Sequence, residues 1–377
     1  MSDKVDYRAL YGPRPQNPPA DGGGQHRQPA HAAAPAPESQ RPAGPAPAHH
    51  RTLSPAAQYA TGANPWEPAP TTGLELDGSK TRRAGARTGL RGRINRILGT
   101  RLPPNEAETT YEAECASIKA PIPTIKHVGF LHAKGGTGGT TSLQMVGNTL
   151  AEQRRGTVYA IDADYGGSLL LRTRDVSGTN SPKSTRTLHR WDPRGGEHFG
   201  SMFWRTPQGL MAIGNPKVTN DPPIEPHEFI DVLNKFPREG EIRLIDMPRE
   251  DTPLFVPLLQ GLSSIVLVTT PEQDSVRLCE KLRDTIREHG RPDLVANMVV
   301  VVNHRSPADP VIDEAKLAAV FDQGDELGAA AGLQRVLYAG YDAHLAEGGA
   351  VDYNLVDADT LKRYVTITAA IVARLTA

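Results

Sequence analysis

The sequence predicts an α/β fold: a doubly wound, mainly parallel sheet covered by helices on both faces and preceded by a disordered Pro-rich N-terminal region. Three observations predict it. From about Pro121 onward short apolar runs alternate with longer amphipathic stretches. The first apolar run passes through a glycine-rich turn straight into a helical pattern, and the composition changes sharply ahead of it.

The chain has 377 residues, a length that would make about two domains of roughly 150 residues each if all of it folded. Prolines crowd the region before Ala120, in runs such as "PAHAAAPAPESQRPAGPAPAHH". Such a stretch has too few aromatic and β-branched side chains to offset the entropy of ordering it. Residues 1–80 are therefore expected to be disordered, with polyproline II character where prolines cluster. Residues 81–120 read as a basic amphipathic segment and linker. In "KTRRAGARTGLRGRINRILGTR" a helix would align Leu90, Ile94, Ile97 and Leu98 in one stripe, with Arg87, Arg91, Arg93 and Arg96 around it. Two readings stay open: a contact with DNA, acidic lipid or a partner, and a short helix docked on the main domain, which Gly89 and Gly92 would weaken if it stood alone.

A formal net charge of -1 excludes a global preference for nucleic acid or anionic membrane, so any such preference must be local. Two cysteines, Cys115 and Cys279, are too few for a metal cluster and read as ordinary reduced thiols. The start "MSDKVDYRAL" lacks the apolar core of a signal peptide, and no apolar run approaches the roughly 20 residues that span a bilayer. A cytoplasmic protein is expected, peripheral at a membrane only through the basic segment or a partner.

Residues 121–377 carry the alternation. Strands are expected at Ile125 to His132, Thr157 to Asp162, Leu210 to Gly214, Ile242 to Asp246, Ser264 to Thr269, Asn297 to Asn303 and Arg335 to Ala339. Helices are expected at Thr141 to Arg155, Pro226 to Phe236, Pro271 to His289, Pro310 to Phe321 and Ala358 to Leu375. Val176 to Gly200, rich in Ser, Thr, Pro and Gly, reads as an insertion or mobile loop.

The turn after the first strand is "HAKGGTGGTTS". Strand, glycine turn and helix are the context of a phosphate-binding loop, in which backbone N–H groups of Gly135, Gly136, Thr137, Gly138 and Gly139 converge on phosphate oxygens at the positive end of the helix. Thr140 sits where a Mg²⁺-binding hydroxyl is expected. A dinucleotide fingerprint fits less well, because its third glycine would fall at Thr141, although Asp162 at the end of the second strand would suit a ribose hydroxyl.

Lys134 followed by "GGTGGTT" resembles the deviant Walker A loop of the MinD/ParA family of dimerising ATPases. Other motifs follow in that family's order: "YAIDADYGGSL" resembles its switch I, "IRLIDMPRE" its Walker B strand and switch II, and "VVVVNHRS" the strand whose last asparagine reads adenine. The tail from Gly340 and the lead-in "GLRGRINRILGTRLPPNEAE" look more specifically like MinD-like proteins encoded with actinobacterial type VII secretion systems. The resemblance implies ATP and Mg²⁺ as cofactors and a homodimer when nucleotide is bound. It implies that Lys134 reaches a partner's phosphates, Thr140 holds Mg²⁺ and Thr141 meets the α-phosphate. It further implies that Asp162 and Asp246 serve the metal, Asp164 orients the attacking water and Asn303 pairs with adenine.

Three departures from the family pattern stand out, and two of its three γ-phosphate-sensing elements are altered. Gly139 replaces the loop lysine, Tyr165 replaces a switch I proline, and Asp246-Met-Pro-Arg-Glu250 lacks the switch II glycine. A charge-assisted hydrogen bond is worth about 1.5–3 kcal/mol, so the missing lysine alone predicts affinity lower by roughly ten- to a hundredfold, with a larger loss in the transition state. Arg249, or Lys134 from a second copy of the chain, is expected to supply some of the missing charge; the alternative for Arg249 is that it simply faces solvent. The expected function is an ATP-dependent dimerising switch with weakened or absent hydrolysis, serving a secretion or positioning system. A nucleotide-independent scaffold recruiting partners through the Pro-rich arm, and a DNA partitioning factor, are the alternatives.

Overall fold

The computed structural model describes residues 105–178, 181–237, 242–307, 312–322, 328 and 333–376. The expected disordered arm and the basic stripe of residues 80–101 lie outside the described residues.

Eight strands form one sheet: β1 (Lys126–Leu131), β2 (Val158–Asp162), β3 (Trp204–Arg205), β4 (Met211–Ile213), β5 (Ile242–Asp246), β6 (Ser264–Thr269), β7 (Val299–Asn303) and β8 (Val336–Gly340). Their spatial order is β3-β4-β2-β5-β1-β6-β7-β8, and every pair is parallel except β3 with β4. The helices are α1 (Glu106–Ile118), α2 (Gly139–Gln153), α3 (Leu169–Arg172), α4 (Thr185–Arg190), α5 (Pro226–Lys235), α6 (Phe255–Gly261), α7 (Gln273–Glu288), α8 (Pro292–Ala296), α9 (Glu314–Asp322), α10 (Ala343–Ala346) and α11 (Ala358–Thr376). Central strands such as β5 and β6 are buried along their whole length, which is why β6 reads as a near-continuous apolar run and β5 interrupts its own only with Arg243 before ending on Asp246.

β1 lies between β5 and β6, and the chain leaves it through α2 towards β2 on the far side of β5. The carboxyl end of β1 therefore opens where connections diverge, the place open α/β sheets use for ligands. One core face packs Phe130 of β1, Leu143, Val146 and Leu150 of α2, and Tyr364, Ile367 and Ile371 of α11.

Two segments differ from expectation. Within the stretch read as linker, α1 begins at a reciprocal cap: Glu108 N–H donates to Asn105 Oδ1 at 2.7 Å and Asn105 N–H to Glu108 Oε2 at 3.0 Å. Tyr111, Cys115 and Ile118 pack on the core, and Arg154 closes the helix end by donating to the Ile118 and Ala120 carbonyls at 2.6 and 2.9 Å. The second is Val176 to Gly200, expected as a loop, where the structure instead places α4 and a following 3-10 turn. Arg186 of α4 is buried and pairs with Glu228 of α5 at 2.7 Å. Phe199 and Phe203 stack with Tyr159 and Phe236 at ring separations of 5.2 to 6.2 Å. The Ser, Thr and Pro content hid a few anchor residues that bury well.

Arg243 of β5 donates to His127 Nε2 of β1 at 3.2 Å. Burial first, and then this guanidinium, push the imidazole pKa down from 6.5 to about 4. A histidine lowered in the folded state leaves the unfolded chain with more protons between those values, so its contribution is fully present above pH 6.5 and fades as pH falls towards 4. The shift corresponds to at most about 3 kcal/mol. Denaturant titrations at pH 7.5 and 4.5 should show a loss for the natural chain that is visibly smaller in His127→Asn.

Candidate functional site

The loop between β1 and α2 is shaped by two left-handed glycines, Gly136 at φ 78° and Gly138 at φ 92°, a region costly for residues with a Cβ. Gly138 caps α2 with no side-chain hydrogen bond at the cap, so the helix start faces outward as bare peptide. A Cβ on Gly135 or Gly136 would meet nothing within 4 Å: the loop curves around open space. At Gly138 a Cβ would come within 2.3 Å of Asn303 Nδ2, which instead donates to the Thr137 carbonyl at 2.9 Å. In this structure Asn303 fastens the loop to the end of β7.

Beneath the loop, Thr140 Oγ1 donates to Asp246 Oδ2 at 2.7 Å. Asp162 and Asp246 end adjacent parallel strands and are direct register partners. Both are buried. Asp162 Oδ2 accepts from Leu169 N–H at 3.3 Å and Asn215 Nδ2 at 3.2 Å, while Oδ1 of each carboxylate is buried with no hydrogen-bond partner. Burial, then the neighbouring Asp246 charge, hold Asp162 well above the usual carboxylate range; burial likewise raises Asp246 to about 6. Asp164, on the turn after β2, adds to the same negative field and accepts from Gly166 N–H at 3.2 Å. Two unsatisfied carboxylate oxygens under a loop of outward N–H groups form a place for a cation beside an anion. Among the described residues no group of three or more His, Cys, Asp and Glu could hold a metal ion; Mg²⁺ with phosphate and water ligands needs no such cage.

Thr141 is buried beside the loop and lines a cavity of about 280 Å³ shared with Gly136, Gly138, Asn303 and two arginines, Arg172 and Arg305. The sequence reading missed both arginines: Arg172 falls in no motif, Arg305 follows Asn303 in "VVVVNHRS" without a role of its own there, and only the fold brings α3 and the end of β7 to one mouth. Lys134 folds back onto its own chain, pairing with Asp274 at 2.6 Å and Glu272 at 3.4 Å at the start of α7. Arg249 pairs with Asp251 at 3.1 Å and is 72% exposed, the solvent-facing reading of the two.

Asp246, with Oδ1 buried without a partner and its pKa raised by burial, predicts a signature of function at the expense of stability. Asp246→Asn should raise the ligand-free protein's stability by about 1–3 kcal/mol at pH 7 while reducing Mg²⁺-dependent nucleotide binding at least tenfold, read by thermal melts and calorimetric titration.

No protein-family model matches the chain. Over 248 residues, 63% of this chain, it is 25% identical to the ESX-1 secretion-associated protein EspI of Mycobacterium tuberculosis, in two strains. The chain spans 35% of the length of those curated relatives. Among solved structures, a ParA family ATPase from Chlorobium tepidum aligns with a TM-score of 0.51 at 19% identity, covering 65% of this chain and 98% of that one. The cell division ATPase MinD of Pyrococcus furiosus covers the same 65%, with 98% of its own chain, at 19% identity and a TM-score of 0.46. The described domain thus has the P-loop fold of a ParA family ATPase, and its motifs resemble those of the MinD/ParA proteins.

Proposed function

We propose that this chain is a MinD/ParA-like nucleotide switch that dimerises on Mg²⁺-ATP, hydrolyses it slowly or not at all, and serves a secretion system. One observation carries the reading: Thr140 bonded to Asp246, with two partnerless carboxylate oxygens, directly beneath a glycine loop open to phosphate. The residues fit Mg²⁺-ATP. Thr140 and Asp246 would hold the metal with Asp162 behind them, Gly135 to Thr141 would hold the phosphates, and Arg172, Asn303 and Arg305 would border the nucleoside. When bound, Mg²⁺-ATP brings the phosphoryl group and the cationic charge that the buried carboxylates lack.

The chain's own residues support binding more than cutting. The fixed peptide donors of the loop favour phosphate in the ground state, whereas no lysine at 139 follows charge developing towards the leaving oxygen. Asp164 remains half-exposed on switch I, placed to accept a proton from water. Lys134 must leave Asp274 and Glu272 to reach a second subunit. Exposed ion pairs are weak, so a polyphosphate can displace them, and their effect is to bias the ligand-free chain towards the monomer. The similarity to EspI supports the secretion client. The scaffold and DNA readings depend on residues 1–101, and no described observation favours either.

Light scattering with Mg²⁺-ATP, Mg²⁺-ADP and neither tests this. The natural chain should double its mass only with Mg²⁺-ATP. Lys134→Ala should stay monomeric, and Asp274→Asn should dimerise at several-fold lower protein concentration. A mass indifferent to millimolar Mg²⁺-ATP would favour the nucleotide-independent scaffold.

A further inference from the structure

The missing loop lysine has a physical counterpart at the end of β1. A Cβ built on Gly139 would first meet three atoms of one side chain: His132 Nδ1 at 2.8 Å, Cγ at 3.2 Å and Cβ at 3.4 Å. Contacts below 3 Å are not tolerated without movement, so the imidazole stands in the path that any side chain at 139 would take. Gly139 lies in the first turn of α2 with no left-handed backbone to require glycine. Its lack of a side chain is explained by the histidine ring.

The ring is also unsatisfied. His132 Nδ1 is buried and has no hydrogen-bond partner. Asp246 Oδ1 and Asp162 Oδ1, on strand ends that are register partners, are buried without partners as well, and His132 is among the groups that act on the Asp246 carboxyl. Buried polar atoms without partners are rare, and several around one spot point to a polar ligand that completes them. The ring thus touches the path of a side chain at Gly139 and acts on the carboxylate that accepts from Thr140.

We propose that His132 replaces the loop lysine: its imidazole, carried on the strand instead of the helix, is the nitrogen group that meets the nucleotide's phosphates, and Gly139 is its steric partner. This rests on the nucleotide-binding reading of the site. An imidazole is shorter than a lysine and cannot track a moving phosphoryl group on a flexible stem. The exchange therefore keeps a polar contact in the ground state and gives up reach in the transition state, which matches a switch that holds ATP and cuts it slowly or not at all.

Calorimetric titration with Mg²⁺-ATP and with a non-hydrolysable analogue, beside thermal melts without nucleotide, tests the exchange on the full chain. The variants are His132→Ala, His132→Asn, Gly139→Lys and the double variant H132A/G139K. His132→Ala should weaken binding at least tenfold, and His132→Asn, which retains a donor, should weaken it less. Gly139→Lys alone should melt several degrees lower and gain no affinity, because its side chain collides with the ring. The double variant should recover the melting temperature and bind at least as tightly as the natural chain. Unchanged binding in His132→Ala, or tighter binding with an unchanged melt in Gly139→Lys alone, would overturn the role of His132 while leaving nucleotide binding in place. A natural chain that binds no nucleotide overturns the functional reading itself; the melts of Gly139→Lys and the double variant then still report whether ring and glycine are coupled.

Discussion

Two carboxylates inside one sheet set the terms of this protein. Asp162 and Asp246 end neighbouring parallel strands in register, so the backbone pairing that builds the core also forces two acidic groups together out of water. Like charges at that spacing in a buried setting are costly. The cost is only partly relieved by Thr140, Asn215 and the Leu169 N–H. The glycine loop, the bare start of α2 and the arginines at the cavity mouth are arranged around what would relieve the remainder, a cation bound together with an anion.

Around that fixed centre, the elements that would sense the γ-phosphate have changed. The lysine of the loop is absent, and a histidine ring fills its path. Lys134 is retained but held by Asp274 and Glu272 of its own chain. Arg249 of the altered switch II stands in solvent with Asp251. On the proposed reading, a site that would keep its metal and ground-state contacts while lacking groups that act as charge develops would bind and signal more than turn over.

Much of the fold was legible because its central strands are short, mostly apolar and separated by amphipathic helices; Ile242–Asp246 and Ser264–Thr269 end where the sequence pattern ends. The Asn105 and Glu108 cap and the Tyr111, Cys115, Ile118 spacing of α1 were also in the sequence, but the helix is otherwise polar and its stripe is narrow. Of the site, the loop, Thr140 and the three aspartates followed from motif order. The partners of Lys134, the fastening of the loop by Asn303 and the blocking of position 139 by His132 did not, since each depends on residues more than a hundred positions apart or on a ring orientation that only packing sets. Gly139 read as a simple loss in one dimension. In three dimensions it is half of an exchange.

The central claim is that the loop holds Mg²⁺-ATP and scarcely cleaves it. Equilibrium binding of Mg²⁺-ATP and phosphate release measured on the same sample test it most directly. Saturable binding with phosphate release at or near background is the expected result, and either no binding at millimolar nucleotide or brisk turnover would contradict it.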